Sequence, residues 1–86
     1  MSINLKLKAK VIEKGSLTAR EGEILALICE GKPDKAIARL LEISTKTVEA
    51  HSAKIYEKLE VRNAATNARC AAISASVARG IIKISI

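Results

Sequence analysis

The sequence predicts an all-α domain of four helices, with a short extended basic N-terminal arm and an apolar C-terminal tail. Three observations carry this. Apolar residues recur at helical spacing in successive blocks between Leu17 and Leu59. Capping residues (Thr18, Asp34, Ser44 or Thr45) stand ahead of those blocks, and Gly31 and Gly80 stand where helices should stop. A fourth stretch, Arg62 to Ala78, is rich in alanine and so in helix propensity. The boundaries that follow are an arm over 1–16, the helical domain over 17–79 and a tail over 80–86.

In the arm, Ile3, Leu5, Leu7, Ala9 and Val11 alternate with Asn4, Lys6, Lys8 and Lys10, which is strand periodicity. A lone strand is marginal in water. Two readings stand: a loosely ordered basic arm, or an edge strand paired with the tail or with a second chain. Gly15-Ser16 breaks the pattern. Thr18 can cap the first helix, with Glu21 completing a capping box. Ile24, Leu25, Leu27 and Ile28 make its apolar stripe. Gly22 inside it costs about 0.5–1 kcal/mol relative to alanine.

Pro33 and Asp34 begin a short second helix, Asp34 as its cap or as a favourable charge on its first turn. Ala36, Ile37, Leu40 and Leu41 supply its apolar face, and Ile43 plugs the turn that follows. Ser44 or Thr45 caps a third helix that buries Val48, Ile55 and Leu59, with Ser52 a poorer fit between them. The fourth helix starts at Arg62-Asn63. It packs back on the first helix, or also offers an outward face to a second copy. After Gly80, Ile82-Lys83-Ile84-Ser85-Ile86 alternates like a strand and should seek cover.

With 86 residues the core must be thin. The 15 basic and 9 acidic residues leave a charge of +6, which attracts polyanions, nucleic acid first among them. Tyr56 is the sole aromatic residue, so base stacking on single strands is a poor mode and duplex DNA the better partner. Cys29 sits in an apolar run and reads as a buried hydrophobe, and Cys70 lies among alanines. With His51 the one histidine, no metal spacing exists, and neither metal nor cofactor is expected. A reducing cytoplasm suits the cysteines. No signal peptide or membrane-length apolar run is present. With no glycine-rich phosphate loop or paired carboxylates, an enzyme is a poor reading.

The unburied side of the third helix carries Lys46, Glu49, Ala50, Ala53 and Lys54. Small side chains let a helix approach base edges closely but provide few base-specific contacts. Lys46 and Lys54 suit phosphates, with ordinary solvated lysines as the plain alternative. Thr47, in the first turn, suits a phosphate or a local cap. Arg20 and Arg62 are expected to hold carboxylates such as Glu21 or Glu57.

Several motifs then fall in order: Leu17-Thr18-x-Arg20-Glu21, Gly31-x-x-x-Lys35-x-Ile37-Ala38 and Leu41-x-Ile43-Ser44-x-x-Thr47-Val48-x-x-His51. Ile55-x-x-Lys58-Leu59 and Arg62 follow. The stretch Leu17–Ala68 resembles the LuxR-type (GerE) helix-turn-helix domain, the DNA-binding output module of quorum-sensing regulators and many response regulators. The resemblance implies a scaffold helix over 34–41 and a recognition helix over 45–59 in the major groove. It implies that Glu49, Ala50 and Ala53 face the bases. Lys35, Thr47, Lys54 and Lys58 fall at phosphate-side positions, and His51 at a structural or phosphate contact. The family's dimer contact falls on the fourth helix, here at Ala64, Ala68, Ala71, Ala72 and Ala75. Gly22, Ser52 and Lys54 depart from the residues usual there. Residues 1–16 are too few for a receiver or autoinducer-binding domain, which leaves a stand-alone regulator or an output domain cut from a longer one. The Met1-Ser2 start and the tail favour the first.

The leading expectation is a sequence-specific, double-stranded DNA-binding transcriptional regulator. It would act as a homodimer on a near-palindromic site, with RNA polymerase or another regulator as a further partner and no membrane. The alternative is a protein-interaction module that keeps the fold and modulates another regulator, which small Ala50 and Ala53 and the apolar tail favour. Charge alone would also suit a non-specific nucleic-acid binder.

Overall fold

A computed structural model describes residues 8–11, 15–60 and 68–85 of the chain. The expected capping box opens the first helix, α1 (Ala19–Cys29). Thr18 Oγ1 accepts from the Glu21 amide at 3.1 Å, and the Thr18 amide donates to the Glu21 carboxylate at 2.9 Å. Gly31 ends the helix at φ 84°. The Lys32 amide then donates to the Leu27 carbonyl at 3.1 Å, closing the last turn.

In α2 (Asp34–Leu41), Pro33 holds the N-cap position and makes no side-chain capping bond. Asp34 is therefore not the cap but the first helical residue, where its charge meets the positive end of the helix. Ile37 and Ala38 are buried and Leu41 half-buried, whereas Leu40, expected on the apolar face, is 58% exposed. At about 100° per residue the arc centred on Ile37, Ala38 and Leu41 leaves Leu40 on the flank. The turn after α2 is made by a glutamate, Glu42, at φ 57°. The Ile43 amide donates to the Ala38 carbonyl at 3.0 Å, and the Ile43 side chain packs on the core as the plug of the turn.

The cap of α3 (Thr45–Lys58) is Ser44, whose Oγ accepts from the Thr47 amide at 3.1 Å. Val48, Ser52, Ile55 and Leu59 are buried. Ser52 Oγ has no hydrogen-bond partner among the described residues. A buried hydroxyl without a partner is destabilising, and alanine is the better helix former. Ser52→Ala should therefore raise the unfolding free energy by about 1 kcal/mol in urea titrations. A loss of stability would show that the hydroxyl is satisfied after all.

The fourth helix, α4, is described from Ala68 to Ala78. Its expected start at Arg62, together with Ala64, lies outside the described residues. Ala72 and Ser76 are buried. Ser76 Oγ donates to the Ile73 carbonyl at 2.9 Å and lies 3.5 Å from Cys29 Sγ. Burial pushes the Cys29 thiol above its usual pKa, against the bond to Ser76 and the charge of Arg69. Cys29 thus behaves as the small apolar filler expected of it.

Of the two readings of the arm, the structure takes the pairing one, and within the chain. β1 (Lys8–Val11) runs antiparallel to β2 (Ile82–Ser85), with Val11 opposite Ile82 and Lys10 opposite Lys83. Val11 and Ile82 pack inward, while Lys10 and Lys83 are exposed. Gly22 gives the ribbon its seat. A Cβ there would stand 3.4 Å from Val11 Cγ2, so a long side chain would push the strand off α1. The outer edge of β1 is covered in part by Glu30, whose carboxylate accepts from the Ala9 amide at 3.0 Å. Ile24, Leu25 and Ile28 of α1 are fully buried, with Ile37, Val48, Ile55 and Ala72 around them. Among the described residues, no helix is long and apolar enough to cross a membrane.

Candidate nucleic-acid interface

The helix-turn-helix unit is α2, its Glu42–Ser44 turn and α3. Val48, Ser52, Ile55 and Leu59 are turned into the core, with Tyr56 packed beside them, and the opposite side of α3 is left to solvent. Lys46, Thr47, Glu49, Ala50, Ala53 and Lys54 are all exposed. No large apolar side chain interrupts that face. Lys35 and Arg39 are exposed on α2, and His51 is half-buried. The Thr47 amide is already committed to the Ser44 cap, and the Thr47 hydroxyl lies 2.9 Å from Ser44 Oγ. Thr47 therefore serves the cap, and its amide is not free for a phosphate.

Lys58 stands apart from the other lysines of α3. Its Nζ donates to Glu21 Oε1 at 2.7 Å and to the Ser16 carbonyl at 3.1 Å. It joins the end of α3 to the start of α1. Burial by itself would raise the Glu21 pKa. Hydrogen bonds from Lys58 and from Thr18, together with the Lys58 charge, outweigh burial and hold the carboxyl below its ordinary value. Arg20 does not take the inter-helix role expected of it. Its guanidinium meets Glu23 of the same helix at 3.5 Å on an exposed surface, a contact of little energetic weight.

On α4 the residues expected at a dimer contact separate. Ala72 is in the core of the chain, and Ala71 and Ala75 are half-buried. The exposed line of α4 is Cys70, Ser74 and Val77, with Val77 45% exposed. Pattern reading also missed Arg69. Its guanidinium leaves α4 and binds Asp34 Oδ1 at 2.9 Å and the Lys32 carbonyl. Its one signal in the sequence was a large cation in a helix of small residues, which names no partner.

Residues 15–71 match the family described as bacterial regulatory proteins, luxR family. The chain is similar to the uncharacterized response regulatory protein YgeK of Escherichia coli (strain K12), at 45% identity over 67% of this chain and 40% of that protein. It is also similar to the putative HTH-type transcriptional regulator YhjB of the same strain, at 50% identity over 56% of this chain and 24% of that protein. The transcriptional regulatory protein DesR of Bacillus subtilis (strain 168) shares 42% identity over 83% of this chain and 33% of its own length. No solved structure matches the chain significantly. The chain belongs to the LuxR family of bacterial regulatory proteins and carries its DNA-binding helix-turn-helix, a module of transcription regulation. It spans between 24% and 40% of the length of these three relatives.

Proposed function

We propose that the domain binds duplex DNA in a sequence-specific way, with α3 laid in the major groove and two copies reading an inverted repeat. The observation that carries this is the division of α3. One side is locked into the core by Val48, Ile55 and Leu59, and the other presents small or polar side chains between Lys46 and Lys54. A helix held rigidly from behind and slim in front fits the groove. Glu49 is the polar side chain placed to accept from a cytosine amine, and Ala50 and Ala53 allow close approach. Lys35, Lys46 and Lys54 bind phosphates and His51 supports that contact. Lys58 is left out of this set, because its ammonium already serves Glu21 and Ser16. The second copy meets the exposed line Cys70, Ser74 and Val77 of α4, flanked by Ala71 and Ala75.

The protein-interaction alternative drew support from small Ala50 and Ala53 and from the apolar tail. Of that tail, Ile82 is 2% exposed and is part of the core, which weakens the second support. The deciding experiment is selection of bound sequences from a random duplex library. Enrichment of an inverted repeat is the expected result. A flat library recovered with salt-sensitive binding would replace the proposal with non-specific binding, and no recovery at all would remove DNA as the partner.

A further inference from the structure

We infer that Arg69 is a positioning residue that fixes the angle between α4 and the helix-turn-helix unit, and through it the half-site spacing that a dimer accepts. The inference rests on the dimeric DNA-binding reading above. Its starting point is a gap in the packing. α3 rests on α1, α2 and α4, but among the described residues α2 and α4 do not pack on each other. Arg69 crosses that gap. One nitrogen of its fork binds Asp34 Oδ1 at 2.9 Å and the other binds the Lys32 carbonyl, so the guanidinium holds the chain on both sides of Pro33.

The point it holds is the weakly secured start of the scaffold helix. Pro33 gives α2 no side-chain cap. The first-turn charge, Asp34, is steadied by Arg69 instead. Both side chains are partly buried, at 26% and 35% exposure, so the pair is less screened than a surface contact. A planar fork with two acceptors is directional in a way that a lysine is not. α4 is seated on α1, α3 and β2, and the Arg69 fork adds the one side-chain tie among the described residues that runs from α4 straight to α2. The leverage is large. A 14-residue helix such as α3 is about 20 Å long, so a tilt of about 10° moves its end by about 3.5 Å, the rise of one base pair.

The test uses the full chain and the half-site recovered by the selection. Binding is measured to duplexes with one half-site, and to duplexes with two half-sites whose separation changes by single base pairs. Wild type should favour one spacing over its neighbours by about tenfold. Arg69→Gln should bind the single half-site within about twofold of wild type while its spacing preference flattens to below about threefold. Arg69→Lys, which keeps the charge and loses the fork, should fall between them. Thermal unfolding by circular dichroism establishes that each variant is folded, and either variant suffices if the other is not. An unchanged spacing profile in a folded variant overturns the inference and leaves the dimer reading standing. So does an equal loss on single and paired sites, which would assign Arg69 a general structural role. A wild-type protein with no preferred spacing overturns the dimer reading, and this inference with it.

Discussion

Lys58→Ala should lower the unfolding free energy at neutral pH by about 2–3 kcal/mol, a large share of the stability of a domain this small. The loss comes mostly from what is left behind. Glu21 is 5% exposed, and without Lys58 its carboxylate keeps the Thr18 amide but no charge partner. Removing one member of a buried pair strands the other, which costs more than the pair is worth. The 30% exposure of the Lys58 side chain brings the estimate below the ~3–5 kcal/mol typical of breaking a fully buried pair. The effect should depend on pH with a definite sign. Glu21 has a folded-state pKa below its ordinary value, so its contribution is fully present above the ordinary carboxylate range. It is lost as the pH falls through the lowered value. In Lys58→Ala the upward push of burial is less opposed, and the carboxyl protonates at a higher pH. The gap between wild type and variant should therefore be widest near neutrality and shrink towards about pH 3. Urea titrations at both ends of that range measure it, and a gap that widens on acidification would refute this account of Glu21.

The second large effect concerns DNA. Changing Lys35, Lys46 and Lys54 together to alanine removes three proposed phosphate contacts from each copy. For a dimer the slope of log affinity against log salt should become shallower by about five. Affinity at 0.1–0.2 M salt should fall by about a thousandfold or more. The ranking of sequences should survive, because these lysines position the helix and Glu49 with its neighbours reads the bases. Lys58→Ala, if folded, should leave the salt slope unchanged. The two experiments thus separate four lysines of α2 and α3 into three that meet DNA and one that holds the fold. An unchanged slope in the triple variant would remove these lysines from the interface.

The helices were legible because their signals are local. Thr18 with Glu21, Gly31, and the Val48–Ile55–Leu59 stripe each declare a start, a stop or a buried side within a few turns. The exposed face of α3 followed from the same stripe. The features that were not legible join residues far apart in sequence. Nothing near Lys58 announces that a carboxylate 37 positions earlier will bind it, and the same holds for Arg69 and Asp34 across 35 positions. Gly22 looked like a flaw in a helix until Val11 was found against it. Alternation in residues 3–11 and 82–86 showed that both segments could be strands, but alternation carries no information on which strand pairs with which. Leu40 was misplaced because a short helix gives too few turns to centre its apolar arc.

The pairing of β1 with β2 has a consequence for how the domain comes apart. Chain ends are ordinarily where a small protein loosens, and a last helix is prone to peel from its free end. Here the residues beyond α4 return to the strand that precedes α1, with Ile82 buried and Val11 beside Gly22. The ribbon works as a clasp. It ties the C-terminal end of α4 to the strand ahead of α1, so a fluctuation that peels α4 back from that end must first open the clasp.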